Sequence, residues 1–227
     1  MRALVTRPVE DAAPVADMLR ARGVEPVIEP MLSIVALPAP ALDLAGVQAL
    51  LFTSANGVRA FAETSSARDL PVFAVGDATA RAVRECGFAS VTSAGGDVED
   101  LERLVAERLD PQAGALLHAA GTKVAGDLAG RLSARGFTVR RVALYEARAA
   151  AALSADLQGM MRRGDVDLAL FFSPRTAATF VTLVGQAGLA AACQGMAAVC
   201  LSPAVAKAAS GLPWREIRTA LRPELPA

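Results

Sequence analysis

Side chains able to move a proton or attack a carbon are scarce in this chain, which holds one His, one Tyr, one Trp and three Cys among 227 residues. It contains no GxSxG nucleophile elbow, no HExxH, no GxxxxGK[ST] phosphate loop and no GxGxxG dinucleotide fingerprint. Cys86, Cys193 and Cys200 form no CxxC, and with His118 alone they make no conventional zinc site. His118 lies inside the apolar run ALLHAAG, where a satisfied core or strand-end histidine is expected. Tyr145 is the more interesting group, because it follows the strand-like Val142–Leu144 and precedes an alanine-rich stretch. A phenol, with an ordinary pKa of about 10, is a proton donor at pH 7 and can assist departure of a hydroxyl group. A buried, hydrogen-bonded tyrosine would give the same sequence.

The composition limits what these few groups act on. Hydrophobic residues at 53%, charged residues at 20% and a mean hydropathy of +0.38 describe a folded globule. The 23 basic and 23 acidic residues cancel, so no global field attracts nucleic acid. Glu10 and Asp11 interrupt the opening segment, and no run approaches about 18 apolar residues. The expectation is a cytoplasmic protein with no membrane segment, its odd cysteines kept reduced.

The elements that position these residues are legible as short apolar runs, each ending in small or hydroxyl residues ahead of a helical pattern. That is the mark of α/β units on parallel sheets. Such junctions follow Ala3–Val5, Ala49–Phe52, Val72–Val75, Ala115–Leu117 (at Ala120-Gly121-Thr122), Leu168–Phe172 and Ala198–Leu201. They form two sets of three. LRARGVEPVIEPML from Leu19 repeats as LSARGFTVRRVALY from Leu132, LFTSANGVRAF from Leu51 as LFFSPRTAATF from Leu170, and VGDATARA from Val75 as LSPAVAKA from Leu201. A repeat of half the chain means two similar α/β domains rather than a solenoid. Gly23 and Gly136 are the expected helix stops of the two copies. Linkers near residues 37–41 and 146–152 suggest a discontinuous first domain, 1–37 plus 150–227, with a second inserted at 41–146; a simple tandem of two halves also fits.

In such sheets ligands gather at the carboxyl ends of the strands, where each helix N-terminus offers unpaired N–H groups and partial positive charge. Six such ends suit a multiply anionic small molecule, although Ser, Thr and Asp there are also ordinary N-caps needing no ligand. Asp97, Glu99, Asp100 and Glu102 read as the solvated, acidic first turn of a helix, and Trp214 as a cover over core.

Over essentially its whole length the chain resembles the uroporphyrinogen-III synthase family. The resemblance is carried by LVTRP at Leu4–Pro8, LFTSANGV at Leu51–Val58, FAVGDATA at Phe73–Ala80, AAG at Ala119–Gly121, VALYEA at Val142–Ala147 and FFSP at Phe171–Pro174. It implies two flavodoxin-like parallel-sheet α/β domains joined by a two-strand linker, with the active site in a cleft between them. It implies closure of the linear tetrapyrrole hydroxymethylbilane to uroporphyrinogen III, with loss of water and inversion of ring D and with no metal or organic cofactor. It makes Tyr145 the residue assisting hydroxyl loss. Ser54, Asn56, Gly76, Thr79, Gly121, Thr122, Ser173, Pro174 and Ser202 then fall at cleft-lining junctions, with Thr6, Arg7, Lys123 and Arg175 adding contacts to substrate carboxylates. A monomer is expected, in transient contact with the hydroxymethylbilane-producing enzyme.

One departure stands out: where many relatives have GPTTA, this chain reads Ser202-Pro203-Ala204-Val205-Ala206, without either threonine hydroxyl. Two other readings remain beside the synthase: a non-catalytic two-domain module that binds an anionic small molecule, and a synthase copy without activity.

Overall fold

Each apolar run ahead of a capping residue becomes a parallel strand in the computed structural model, which describes residues 1–38, 41–124 and 126–220. The chain divides into one unit of Met1–Ser33 with Arg148–Ala227 and another of Ile34–Ala147. In chain order, β1 (Arg2–Val5), α1 (Val9–Ala21) and β2 (Glu25–Ile28) open unit one, and β3 (Leu32–Ala36) leads into unit two. There follow β4 (Val47–Phe52), α2 (Ala55–Thr64), β5 (Val72–Ala74), α3 (Asp77–Glu85), β6 (Val91–Ser93), α4 (Val98–Arg108), β7 (Ala115–Gly121), α5 (Leu128–Ala134) and the long β8 (Val139–Ala149). Unit one resumes with α6 (Ala155–Arg163), β9 (Leu168–Phe171), α7 (Pro174–Gln186), a 3₁₀ turn at Ala190–Gly195, β10 (Ala197–Cys200), α8 (Pro203–Ala209) and β11 (Glu216–Thr219).

The sheet of unit one runs β11-β10-β9-β1-β2, all parallel. That of unit two runs β3-β8-β7-β4-β5-β6, parallel from β8 to β6. With β7 and β8 in the places of β1 and β2, and β4, β5 and β6 in those of β9, β10 and β11, both sheets share the flavodoxin-like order 2-1-3-4-5. The sequence repeat is therefore crossed. Each unit takes its β-α-β piece from one copy and its three-strand piece from the other.

The cores repeat as well. Phe52, Phe61 and Phe88 lie in mutual ring contact, with centroids 5.8–6.4 Å apart. At the corresponding places Phe171, Phe180 and Trp214 lie 5.4–5.9 Å apart. Trp214 covers this cluster and donates its indole N–H to Ala209 O at 2.7 Å, which satisfies the polar end of a partly buried ring. Gly23 and Gly136 take φ of +71° and +91° just past α1 and α5, a region open to glycine at no steric cost.

Several expectations are corrected. β7 runs on through Gly121, and α5 starts only at Leu128 behind an Asp127 cap, so Ala120-Gly121-Thr122 is not a helix start. The local reason is that Asp127, not Thr122, accepts the free amide at Gly130. Glu102 does not belong to a solvated face: it is 7% exposed and ion-paired with Arg135. The alanine stretch is still strand through Ala149, and Ala150 N–H bonds Met31 O. Of the other linker, Ala39 and Pro40 lie outside the described residues.

Candidate functional site

The carboxyl edge of the unit-two sheet gathers the most chemistry. β4 leads into Thr53-Ser54, and Ser54 caps α2 by accepting Gly57 N–H at 3.1 Å. An N-cap of this type is worth about 0.5–2 kcal/mol. From β8, Tyr145 brings its hydroxyl to 2.8 Å from Ser54 Oγ. Tyr145 is 8% exposed, and its ring lies against Gly121, where an added Cβ would meet ring carbons at 2.9 Å. Glycine at the end of β7 is thus what admits the ring. Nearby, Gly57 lets α2 approach β7, since a Cβ there would stand 2.7 Å from Ala119 O.

The loop beyond β7 is held by Thr122 N–H to Tyr145 O at 2.9 Å and by Arg141, which donates to Gly121 O at 2.7 Å and Thr122 O at 2.9 Å. Lys123 is exposed on this loop. Asn56 sits in the first turn of α2, its Oδ1 accepting from Arg59 at 2.6 Å. Gly76 caps α3 through backbone alone, and Thr79 is buried in its first turn. Arg141 carried no local signal that marked it, because its partners are carbonyls 19 and 20 residues away.

His118 is buried in β7, and desolvation, with a smaller effect from the charge of Arg141, lowers its pKa from 6.5 to about 4. It is neutral at pH 7. Its Nε2 lies 3.2 Å from Thr53 Oγ1, while Nδ1 has no hydrogen-bond partner among the described residues, so the expectation of a satisfied core histidine is half met there.

Unit one carries a sparser edge. Thr6 is wholly buried and donates its hydroxyl to Leu170 O at 2.6 Å, so it ties β1 to β9 and is not presented for a ligand. Arg7 lies 4.8 Å over the Phe172 ring and 3.7 Å from Asp11. The N-cap of α1 is Pro8, without a side-chain cap. Ser173 caps α7 by accepting Thr176 N–H at 3.2 Å; Pro174 opens that helix and Arg175 is exposed on its first turn. Ser202 caps α8 toward Val205 N–H at 3.5 Å, and the Val205 side chain is buried, as is Thr79 at the matching position of α3. The junctions thus split into a unit-two set that includes Tyr145 and a unit-one set around Ser173 and Ser202.

Among the described residues no group of three or more His, Cys, Asp or Glu is placed to hold a metal ion, and no helix is long and apolar enough to cross a membrane.

A family model described as uroporphyrinogen-III synthase HemD matches residues 13–227. A uroporphyrinogen-III synthetase from Helicobacter pylori is similar in fold at a TM-score of 0.65 and 17% identity, covering 99% of this chain and 93% of the other. A mutant uroporphyrinogen III synthase from the extremely thermophilic bacterium Thermus thermophilus matches at a TM-score of 0.58 and 19% identity, covering 98% and 94%. No curated protein gives a significant match.

Proposed function

Because the chain belongs to the uroporphyrinogen-III synthase family, we propose that Tyr145, held by Ser54, and the hydroxyl-capped junctions carry that family's reaction. The protein is a cyclising lyase of tetrapyrrole biosynthesis, which closes hydroxymethylbilane to uroporphyrinogen III with loss of water and inversion of ring D. Closure of this substrate to the uninverted isomer needs no enzyme, so the protein's main contribution is to hold the flexible chain where ring D is attacked at its substituted carbon.

The observation that carries the residue assignment is the 2.8 Å contact between the Tyr145 and Ser54 hydroxyls at the carboxyl edge of the sheet. Ser54 Oγ accepts Gly57 N–H, and of the two directions open to its bond with Tyr145 the reaction uses the one in which Ser54 donates to the phenolic oxygen. The phenol O–H is then left to protonate the hydroxyl departing from the ring A side. Water leaves, and the phenolate is held by the Ser54 O–H. The attacked carbon carries no hydrogen and regains aromaticity by breaking its bond to the bridging carbon; ring D's unsubstituted α-carbon then bonds to that bridging carbon and gives up its proton to the phenolate, so the sum is the loss of one water. The acetate and propionate groups are received by the first turns of α2, α3 and α7, at Asn56, Gly76, Thr79, Ser173 and Pro174. Ser202, Gly121 and Thr122 contribute as well, and Lys123, Arg7 and Arg175 supply charge. Thr6 acts only indirectly, by fixing β1 against β9. Ser202 takes over the polar role at the junction where Ala204 and Val205 bring no hydroxyl.

We place the enzyme in the cytoplasm as a monomer that takes its substrate from the enzyme producing it. Its three cysteines are free thiols, as a reducing compartment requires, and burial pushes the Cys193 thiol up to about 11, which keeps it unreactive. The test is to supply freshly generated hydroxymethylbilane, oxidise the products and separate the type I and type III uroporphyrins. Type III in excess over a control without protein is expected. Type I alone would leave the binding-module or inactive-copy reading in its place.

A further inference from the structure

β7 lies inside the unit-two sheet, between β8 and β4, and all seven of its residues are buried. Its one polar side chain is His118, 2% exposed among alanines, leucines and a glycine. Burying an imidazole costs free energy that an aliphatic side chain in the same place would not, so the one hydrogen bond it makes is informative. None of the steps assigned to Tyr145 and Ser54 uses it.

That bond goes to the end of β4. His118 stands opposite Leu51 in the parallel ladder, and Thr53, two residues on, falls on the same face as Leu51 by strand alternation. The imidazole therefore reaches diagonally past Phe52, where β4 ends, and places Nε2 3.2 Å from Thr53 Oγ1. The next residue is Ser54, whose Oγ lies 2.8 Å from the Tyr145 hydroxyl.

The direction of the bond follows from what the ring leaves over. His118 is neutral at pH 7, because burial first and the charge of Arg141 second lower its pKa to about 4, so the ring carries one N–H. At Nδ1 that N–H would be a buried donor with no acceptor among the described residues; at Nε2 it donates to Thr53 and leaves only a bare lone pair at Nδ1. Orphaned buried donors are the rarer of the two. With a lone pair of Oγ1 taken by the imidazole, the Thr53 proton is turned away from His118, and no acceptor for it lies among the described residues. Thr53 itself is only half-buried.

We propose that Thr53 is a further substrate-binding residue and His118 the residue that positions it: the Nε2–H of His118 holds Oγ1, and Thr53 gives its own proton to a substrate carboxylate beside Ser54. This rests on the synthase reading above. A hydroxyl that accepts one hydrogen bond donates a stronger one, so the buried imidazole strengthens the contact as well as aiming it. Thr53 then anchors an acetate or propionate group one residue away from Ser54, which fixes the substrate against the Tyr145 phenol.

Isotope-labelled histidine in the full chain gives one pair of ring-nitrogen signals, because His118 is the chain's one histidine. The shifts of a protonated Nε2 and a bare Nδ1 are expected at pH 7; a protonated Nδ1 would overturn the proposal. With fresh hydroxymethylbilane, Thr53→Val should raise KM about tenfold and increase the share of type I, while Thr53→Ser should stay near the parent. His118→Leu should raise KM in the same way, and His118→Gln, which keeps an N–H near the place of Nε2, should recover most of the loss. A merely structural His118 would lower the yield of folded protein or kcat and leave KM alone, so an unchanged KM in folded His118→Leu overturns the positioning role. If that variant does not fold, Thr53→Val decides, since an unchanged KM there overturns the carboxylate contact. An unaltered protein that makes no type III would instead strike the synthase reading, and the carboxylate contact with it. The ring-nitrogen signals need no substrate and report the bond between His118 and Thr53 by themselves, which keeps the two failures distinct.

Discussion

Gly121→Ala isolates the position of Tyr145 from its chemistry. The backbone of Gly121 is not in the left-handed region, so alanine brings no torsional strain, but its Cβ would stand 2.9 Å from Tyr145 Cε2 and Cζ, where 3.4–4 Å is ordinary contact. The ring must retreat by about 0.5–1 Å, and the 2.8 Å bond to Ser54 lengthens to about 3.5 Å, past useful strength. Overpacking of this kind costs about 1–3 kcal/mol of stability, which leaves the protein folded. A misplacement of about 1 Å at a reacting group costs on the order of 100-fold in rate. Turnover to type III uroporphyrin should fall by about that factor, with type I rising as substrate escapes to unassisted closure. Tyr145 is the chain's one tyrosine, so its isotope-labelled ring gives a single NMR signal that should shift in the variant. A shifted ring with undiminished type III turnover would refute the role given to Tyr145.

Tyr145→Phe should lower turnover by about 100-fold or more while costing about 1 kcal/mol in urea unfolding, because Ser54 keeps its cap on Gly57; an unchanged rate at saturating substrate would remove the phenol from the mechanism. His118 titrates near 4 when folded and near 6.5 when unfolded, so the unfolded state binds more protons between these values. Stability should be fully present above pH 6.5 and fall by something on the order of 3 kcal/mol as pH drops through 4, and His118→Asn should flatten that part of the urea-midpoint profile. Glu102→Ala leaves Arg135, half-exposed, without its buried partner and should destabilise unit two by about 1–3 kcal/mol with little effect on isomer ratio; an unchanged denaturation midpoint would show the pair to be inert.

The local parts of this architecture were legible in the amino-acid order because their causes lie within a few residues. Ser54, Ser173 and Ser202 cap helices through amides three positions ahead, and Gly23 and Gly136 stop helices by their own φ. The repeat was legible because both copies keep the same apolar runs and junctions, and those runs became parallel strands in matching order. What tertiary structure alone decided are pairings at long separation, which leave no local pattern. Leu4 stands opposite Ala169, so that the β-α-β piece of one copy completes the sheet begun by the other. Thr6 gives its hydroxyl to Leu170 and is lost to any ligand, while Tyr145 meets Ser54 across 91 residues of chain. Glu102 sat in a run of acids with the look of a solvated face, and only the approach of α5 buried it beside Arg135. A side chain's type limits the bonds it can make, but burial and partner depend on which strands close on one another, and that is settled by packing over the whole sheet.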